Sequence, residues 1–304
     1  MRLLGLSVQE KERITGSWQI LAAAVLWGTT GTAQAFSPAG FDPKVIGALR
    51  LLIGGLALLG LALSRRELGK LADWNKTLVF WAAVFTALYQ LCFFAAVSKT
   101  GVAVGTIVGI GSAPVAGGLL GRCFCGESLT PRWYLATLLA ICGCVLLSLK
   151  SGEVKIDLLG ILLAIGAGVS YAIYSLMLKG LLQEHAPNAV MALVVCGGAV
   201  LLAPALVKVD LNWLLHPRSI GVVLHLGIAT MALSYWFFAR GLHKVQLSTT
   251  ITLSLAEPMT AATLGIVVLG EQLTSSAFSG ISLIFLGLVV LIIRRPSGTL
   301  SAKS

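Results

Sequence analysis

The chain has 304 residues, 57% of them hydrophobic and 11% charged, with a mean hydropathy of +0.92 and a formal net charge of +10. Soluble domains carry about 25% charged residues, so this chain could not cover a solvated surface, and its composition belongs in a bilayer. A nucleic-acid role is disfavoured, because no soluble region exists to present a basic face.

Crossing a hydrocarbon core of about 30 Å takes about 20 apolar residues in a helix. Residues 1–16 read as a polar cytoplasmic tail, followed by a first spanning stretch at 17–37 that carries Trp27. That stretch lacks a small-x-small cleavage site and has a counterpart later in the chain, so it reads as structure and not as a signal peptide. The second stretch, 44–63, contains Arg50, and the polar segment 64–76 follows it. The third, 77–98, offers Tyr89, Gln90 and Phe94. The fourth, 101–121, holds Thr106, Ser112, a mid-helix Pro114 and a ladder of Gly101, Gly105 and Gly109, read as a packing seam. The fifth is 130–149, and residues 150–157 link it to the second half. The sixth, 158–179, sets Ser170, Tyr171, Tyr174 and Ser175 on one face by their three- and four-residue spacing. The seventh (187–207) has little polar content; the eighth (219–240) carries His225, Tyr235 and Trp236. The ninth, 247–269, places Glu257 directly before Pro258, and the tenth, 275–293, precedes a basic, Pro/Ser/Gly-rich tail at 294–304.

The second half repeats the first at an offset of 144 residues. Pro114 recurs as Pro258, Gly126-Glu127 as Gly270-Glu271, and Phe93-Phe94-Ala95 as Phe237-Phe238-Ala239; residues 89–131 share 12 of 43 positions with 233–275. The chain is therefore expected to hold two repeats, 17–149 and 158–293, each of five helices. Five is odd, so the second repeat must enter the membrane in the opposite sense, with a substrate site near the midplane. With the N-terminus inside, fifteen Lys and Arg residues lie on the cytoplasmic side and six on the other. This positive-inside bias places both termini in the cytoplasm.

Ten helices in two repeats, Arg50 on the second helix, Trp27-Gly28 on the first and the doubled blocks Pro114…Gly126-Glu127-Ser128-Leu129-Thr130 and Pro258…Gly270-Glu271-Gln272-Leu273-Thr274 resemble the drug/metabolite transporter superfamily, EamA type. The resemblance spans about residues 17–293. It implies an inner-membrane carrier exporting amino acids or other metabolites, with a cavity lined by helices 1, 3, 4, 6, 8 and 9. The halves depart from each other at their charges: Val194 stands at the repeat position of Arg50 and Ala113 at that of Glu257.

Glu257 is the sharpest single signal. An ionisable group at mid-bilayer costs roughly 2.5–3.5 kcal/mol even on the lenient insertion scale. It is seldom retained without a partner, a wet cavity or a proton, so Glu257 is expected to bind a substrate amine or cycle a proton. Trp27, Tyr89, Gln90, Ser112, Tyr171, Tyr174, Tyr235 and Trp236 fall at similar depth. Aromatic walls with a few hydrogen-bonding tips suit an amphipathic organic solute, and interhelical packing is the plainer explanation of each taken singly. Arg50 could hold a substrate carboxylate, but the resemblance does not make helix 2 prominent in the cavity, so a structural or gating role is favoured. Pro114 and Pro258 read either as symmetric hinges or as static kinks. Glu127 and Glu271 read as structural caps of turns.

No Walker-type sequence is present and no connection exceeds about a dozen residues. Transport is then expected to run on a gradient or exchange, with protons as a candidate driver and no cofactor. Cys123-x-Cys125 and Cys142-x-Cys144 point to opposite helix faces and lack paired histidines, which argues against a metal site. The leading expectation is an alternating-access exporter of amino acids or related metabolites. The alternatives are an uptake or exchange carrier for a sugar, nucleobase or vitamin and, more distantly, a membrane-embedded enzyme. Whether the chain pairs into a homodimer through its glycine ladders stays open.

Overall fold

A computed structural model describes residues 7–37, 43–70, 72–148, 157–206 and 212–293. Among them helix is the only regular structure: α1 (Val8–Ala35), α2 (Pro43–Ser64), α3 (Lys76–Gly101), α4 (Val104–Cys125), α5 (Pro131–Ser148), α6 (Leu158–Leu181), α7 (Pro187–Leu202), α8 (Pro217–Lys244), α9 (Leu247–Leu269) and α10 (Ser275–Ile292). Eight of these are long and apolar enough to cross a membrane. The other two are α1, whose first turns are charged, and α7, which has 16 residues. Most of the expected link at 150–157 and the tail at 294–304 lie outside the described residues.

Local chemistry sets the helix ends. Ser7 and Glu10 form a capping box: the Ser7 hydroxyl accepts from the Glu10 amide at 3.3 Å, and the Ser7 amide donates to the Glu10 carboxylate at 3.0 Å. The box starts α1 at Val8, so residues 8–16 are helix where a polar tail was expected. Gly101, expected inside the seam of the fourth helix, instead separates α3 from α4 with φ of +80°, a conformation that favours glycine. Gly105 and Gly109 do pack, against Val97 and against Phe93 and the Ala164 carbonyl.

Equivalent residues of the two repeats make equivalent contacts. Gly126 and Gly270 end α4 and the last part of α9 in the left-handed region, at φ of +63° and +71°. The following glutamate amides, Glu127 and Glu271, donate to the carbonyls of Gly121 and Gly265. Gly16 on α1 packs against Lys244 and Val245, and Gly160 on α6 packs against Lys99 and Thr100. Repeat-equivalent helices also approach each other antiparallel. Gly117 on α4 meets Ile251 on α9 while Glu127, beyond α4, meets Leu247 at the start of α9. Gly143 of α5 meets Gly280 of α10, and Gly287 meets Ala136 and Ala140.

Candidate substrate cavity

α9 is interrupted by a turn at Ser254 and Leu255, whose backbone stays in the right-handed helical region, and Pro258 contributes to it. A proline ring clashes with the carbonyl four residues earlier and supplies no amide to it; that carbonyl belongs to Ser254. The helix ends at Leu253, turns, and restarts at Ala256, with the Glu257 amide donating to the Ser254 carbonyl at 3.0 Å. Pro258 then occupies the first turn of the new segment, where an amide would have no intrahelical partner. Glu257 sits in that same turn. There the helix dipole favours an anion by about 0.3–1 kcal/mol, and by up to about 2 kcal/mol in partly buried geometry. The dipole thus offsets part of the cost of a carboxylate in the membrane, but not all of it. α4 passes Pro114 as continuous helix. The two prolines, equivalent in sequence, therefore differ in whether a turn interrupts the helix before them.

The break opens onto a cavity of about 300 Å³ enclosed by α1, α3, α4, α6, α8 and α9, with Arg50 added from α2. These are the six helices that the family resemblance implied. Trp27, Tyr89, Gln90, Tyr171, Tyr174, Tyr235 and Glu257 all line it, as does Arg50, for which a structural or gating role had been favoured. The aromatic residues form one connected wall. Trp27 meets Tyr235 edge-on at 5.4 Å between centroids and Phe238 at 5.3 Å; Tyr171 meets Tyr174 at 5.2 Å and Tyr89 at 5.8 Å. Phe238, fully buried, joins the two groups through contacts with Tyr235 and Tyr171.

The polar tips are few. The Tyr171 hydroxyl and the Ser254 hydroxyl lie 2.9 Å apart, so α6 is tied to the break itself. Arg50 Nε, Gln90 Nε2 and the Tyr174 hydroxyl are buried and have no hydrogen-bond partner among the described residues. Arg50 and Glu257 are both half-buried on the lining, and the charge of Arg50 acts on Glu257. No ion pair joins them among the described residues. Opposite charges therefore face one enclosed volume without neutralising each other by contact.

Two expected members of the lining are elsewhere. Ser112 turns back to donate to the Gly109 carbonyl at 3.1 Å, the usual self-satisfaction of a serine within a helix, and packs against Gly168. Trp236 points away from the cavity, its ring lying under the Arg240 guanidinium at 3.9 Å; its neighbour Tyr235 takes the inward face instead. Pro114 is also off the lining, as is Pro258, which acts through the break. Sequence reasoning missed Thr30, Gln34 and Ser254 on the wall. The signal for the first two was present: Trp27, Thr30 and Gln34 recur at helical spacing on one face. His225, given little weight, lies 2.9 Å from the Thr29 hydroxyl through Nε2 and links α8 to α1.

A polytopic helical membrane protein with an internal cavity at a broken helix has the build of a transporter. The chain belongs to the EamA-like transporter family, which matches residues 14–149 and again 158–293. It is 45% identical over 272 residues to a Bacillus subtilis (strain 168) protein named Uncharacterized transporter YwfM, covering 90% of this chain and 92% of that one. An Archaeoglobus fulgidus protein named Uncharacterized transporter is 28% identical over 277 residues, covering 90% of this chain and 95% of its own length. A solved crystal structure matches with a TM-score of 0.79 at 20% identity over 90% of this chain and 95% of the other, a likeness of fold.

Proposed function

We propose that this transporter is an alternating-access exporter of small amphipathic zwitterions, amino acids foremost, in the inner membrane, with both termini cytoplasmic and its five-helix repeats inverted. One observation carries the reading: Arg50 and Glu257 line the same aromatic-walled cavity with no ion pair between them. Each charge at mid-membrane costs roughly 2.5–3.5 kcal/mol, a cost that a substrate bearing the complementary charge would offset. The guanidinium fork suits a carboxylate. Glu257, at the start of a helix segment, suits an ammonium or, between substrates, a proton. The aromatic wall takes the apolar remainder. The antiparallel approach of α4 to α9 and of α5 to α10 supports the inverted repeat, because equivalent helices of an inverted pair must run oppositely.

Purified protein in liposomes tests this by counterflow of labelled amino acids, with proton movement followed in parallel. Saturable, counter-stimulated flux is expected for at least one amino acid, falling at least about tenfold in Glu257→Gln; a tenfold loss corresponds to about 1.4 kcal/mol of lost interaction. Absence of counterflow across the amino acids, or an unchanged Glu257→Gln, would overturn the reading.

A further inference from the structure

The α8–α9 turn is held from both sides by charged side chains that belong to other helices. Lys179, in the last turn of α6, donates to the carbonyl of Leu242 at 3.2 Å and to that of Val245. Those are carbonyls at the end of α8, where a helix leaves acceptors unpaired and its dipole favours a cation. Glu127, just beyond α4, accepts from the amides of Leu247 and Ser248 and, at 2.6 Å, from the Ser248 hydroxyl. Those amides are the orphan donors at the start of α9. Each charge therefore meets the helix end of complementary polarity, across a connection only two residues long. Glu127, Val245, Leu247 and Ser248 are all buried.

This turn lies at one end of the cavity. Lys244 and Val245 pack on Gly16 near the start of α1, and Ile251, one turn into α9, is already on the cavity wall. From there the lining runs the other way, out to Gln34 in the last turn of α1. The clasp is also one-sided. Glu127 has a repeat counterpart in Glu271, but the position equivalent to Lys179 is Ala35. An otherwise duplicated frame thus has a lysine at this position in one repeat and an alanine in the other.

We propose that Lys179 is a gating residue whose tie on the α8–α9 turn latches the cytoplasmic end of the cavity shut, biasing the carrier toward its outward-facing state. The proposal rests on the alternating-access reading above, which supplies a second state for the latch to disfavour. Breaking hydrogen bonds to one charged group is enough to shift such an equilibrium about tenfold.

The test is side-specific labelling of Ile110→Cys, a position on the cavity wall, in a background with the six native cysteines changed to serine. A membrane-impermeant maleimide is applied to vesicles of each orientation. Adding Lys179→Met should raise labelling from the cytoplasmic face about tenfold and lower it from the other; Lys179→Arg should largely restore the original ratio. Unchanged sidedness in Lys179→Met overturns the latch. Should the cysteine-free background fail to fold, hydrogen exchange on the native chain decides. Amides at 242–248 should exchange at least about tenfold more slowly than those of the equivalent turn at 98–104, where alanine stands at the position of the lysine, and equal rates overturn the proposal. Counterflow measured on the native protein keeps the two ideas apart: flux with unchanged sidedness sinks the latch alone, and no flux sinks the carrier reading.

Discussion

At the scale of single residues, Arg50 and Glu257 define the cavity's chemistry by remaining apart. Lysine at position 50 would keep the charge but lose the planar fork that grips a carboxylate with two parallel bonds. Arg50→Lys is therefore expected to raise the half-saturating concentration for a carboxylate substrate about tenfold with little loss of maximal flux, and Arg50→Met to cost at least a further tenfold; proteoliposome kinetics distinguish them. Two glycines on α1 separate packing from function. A Cβ at Gly28 would lie 2.6 Å from the Thr260 side chain and 2.8 Å from the Glu257 carbonyl, whereas one at Gly31 meets nothing within 4 Å. Gly28→Val should lower the melting temperature in detergent by several degrees, since overpacking costs about 1–3 kcal/mol. Gly31→Val should leave it unchanged. Glu257 and the tyrosines were readable from the chain because a charged or hydroxyl-bearing group in an apolar helix is costly enough to stand out. Ser112 and Trp236 were not, because one residue along a helix rotates a side chain by about 100° and depth alone does not choose the face.

At the scale of the helix, the instructive element is α9. Its proline has an equivalent in α4, yet α9 breaks at Ser254–Leu255 and α4 does not. Giving position 258 an amide would let it bond to the Ser254 carbonyl and carry the helix through the break. Pro258→Ala should therefore keep or slightly raise thermal stability while cutting counterflow about tenfold, because Glu257 would lose its place at a helix start. Pro114→Ala should have the smaller effect on flux. Equal losses from both, by vesicle assay, would show that the break is not what serves the cavity. The ends of most helices fell within a few residues of the expected ones, since apolar length and turn-forming residues are written locally. α1 was misjudged because a capping box can start a helix in polar sequence well before the membrane begins.

At the scale of the molecule, the repeats are tied by buried polar contacts between opposite ends. Glu127→Ala would strip the acceptors from two buried amides of α9, each orphaned donor costing about 1–3 kcal/mol. A fall in melting temperature is expected, with partial recovery in Glu127→Gln, which keeps one carbonyl oxygen. The membrane topology is checked by fusing a fluorescent protein that matures only in the cytoplasm to each terminus: both fusions should fluoresce, two dark fusions would refute the cytoplasmic termini, and one dark with one bright would refute the inverted ten-helix arrangement. Composition and repetition, on their own, determined the membrane class and the doubled architecture, because a bilayer imposes its demands on every stretch of about 20 residues independently; the family was read from the motifs that resemble it. Only the tertiary structure decided which polar side chains face one another. It turned Arg50 inward, turned Trp236 outward, set Glu127 on a helix 120 residues away and gave Lys179 its carbonyls. Most of those partnerships join residues far apart in the chain, so no local pattern could record them; they exist once the helices pack.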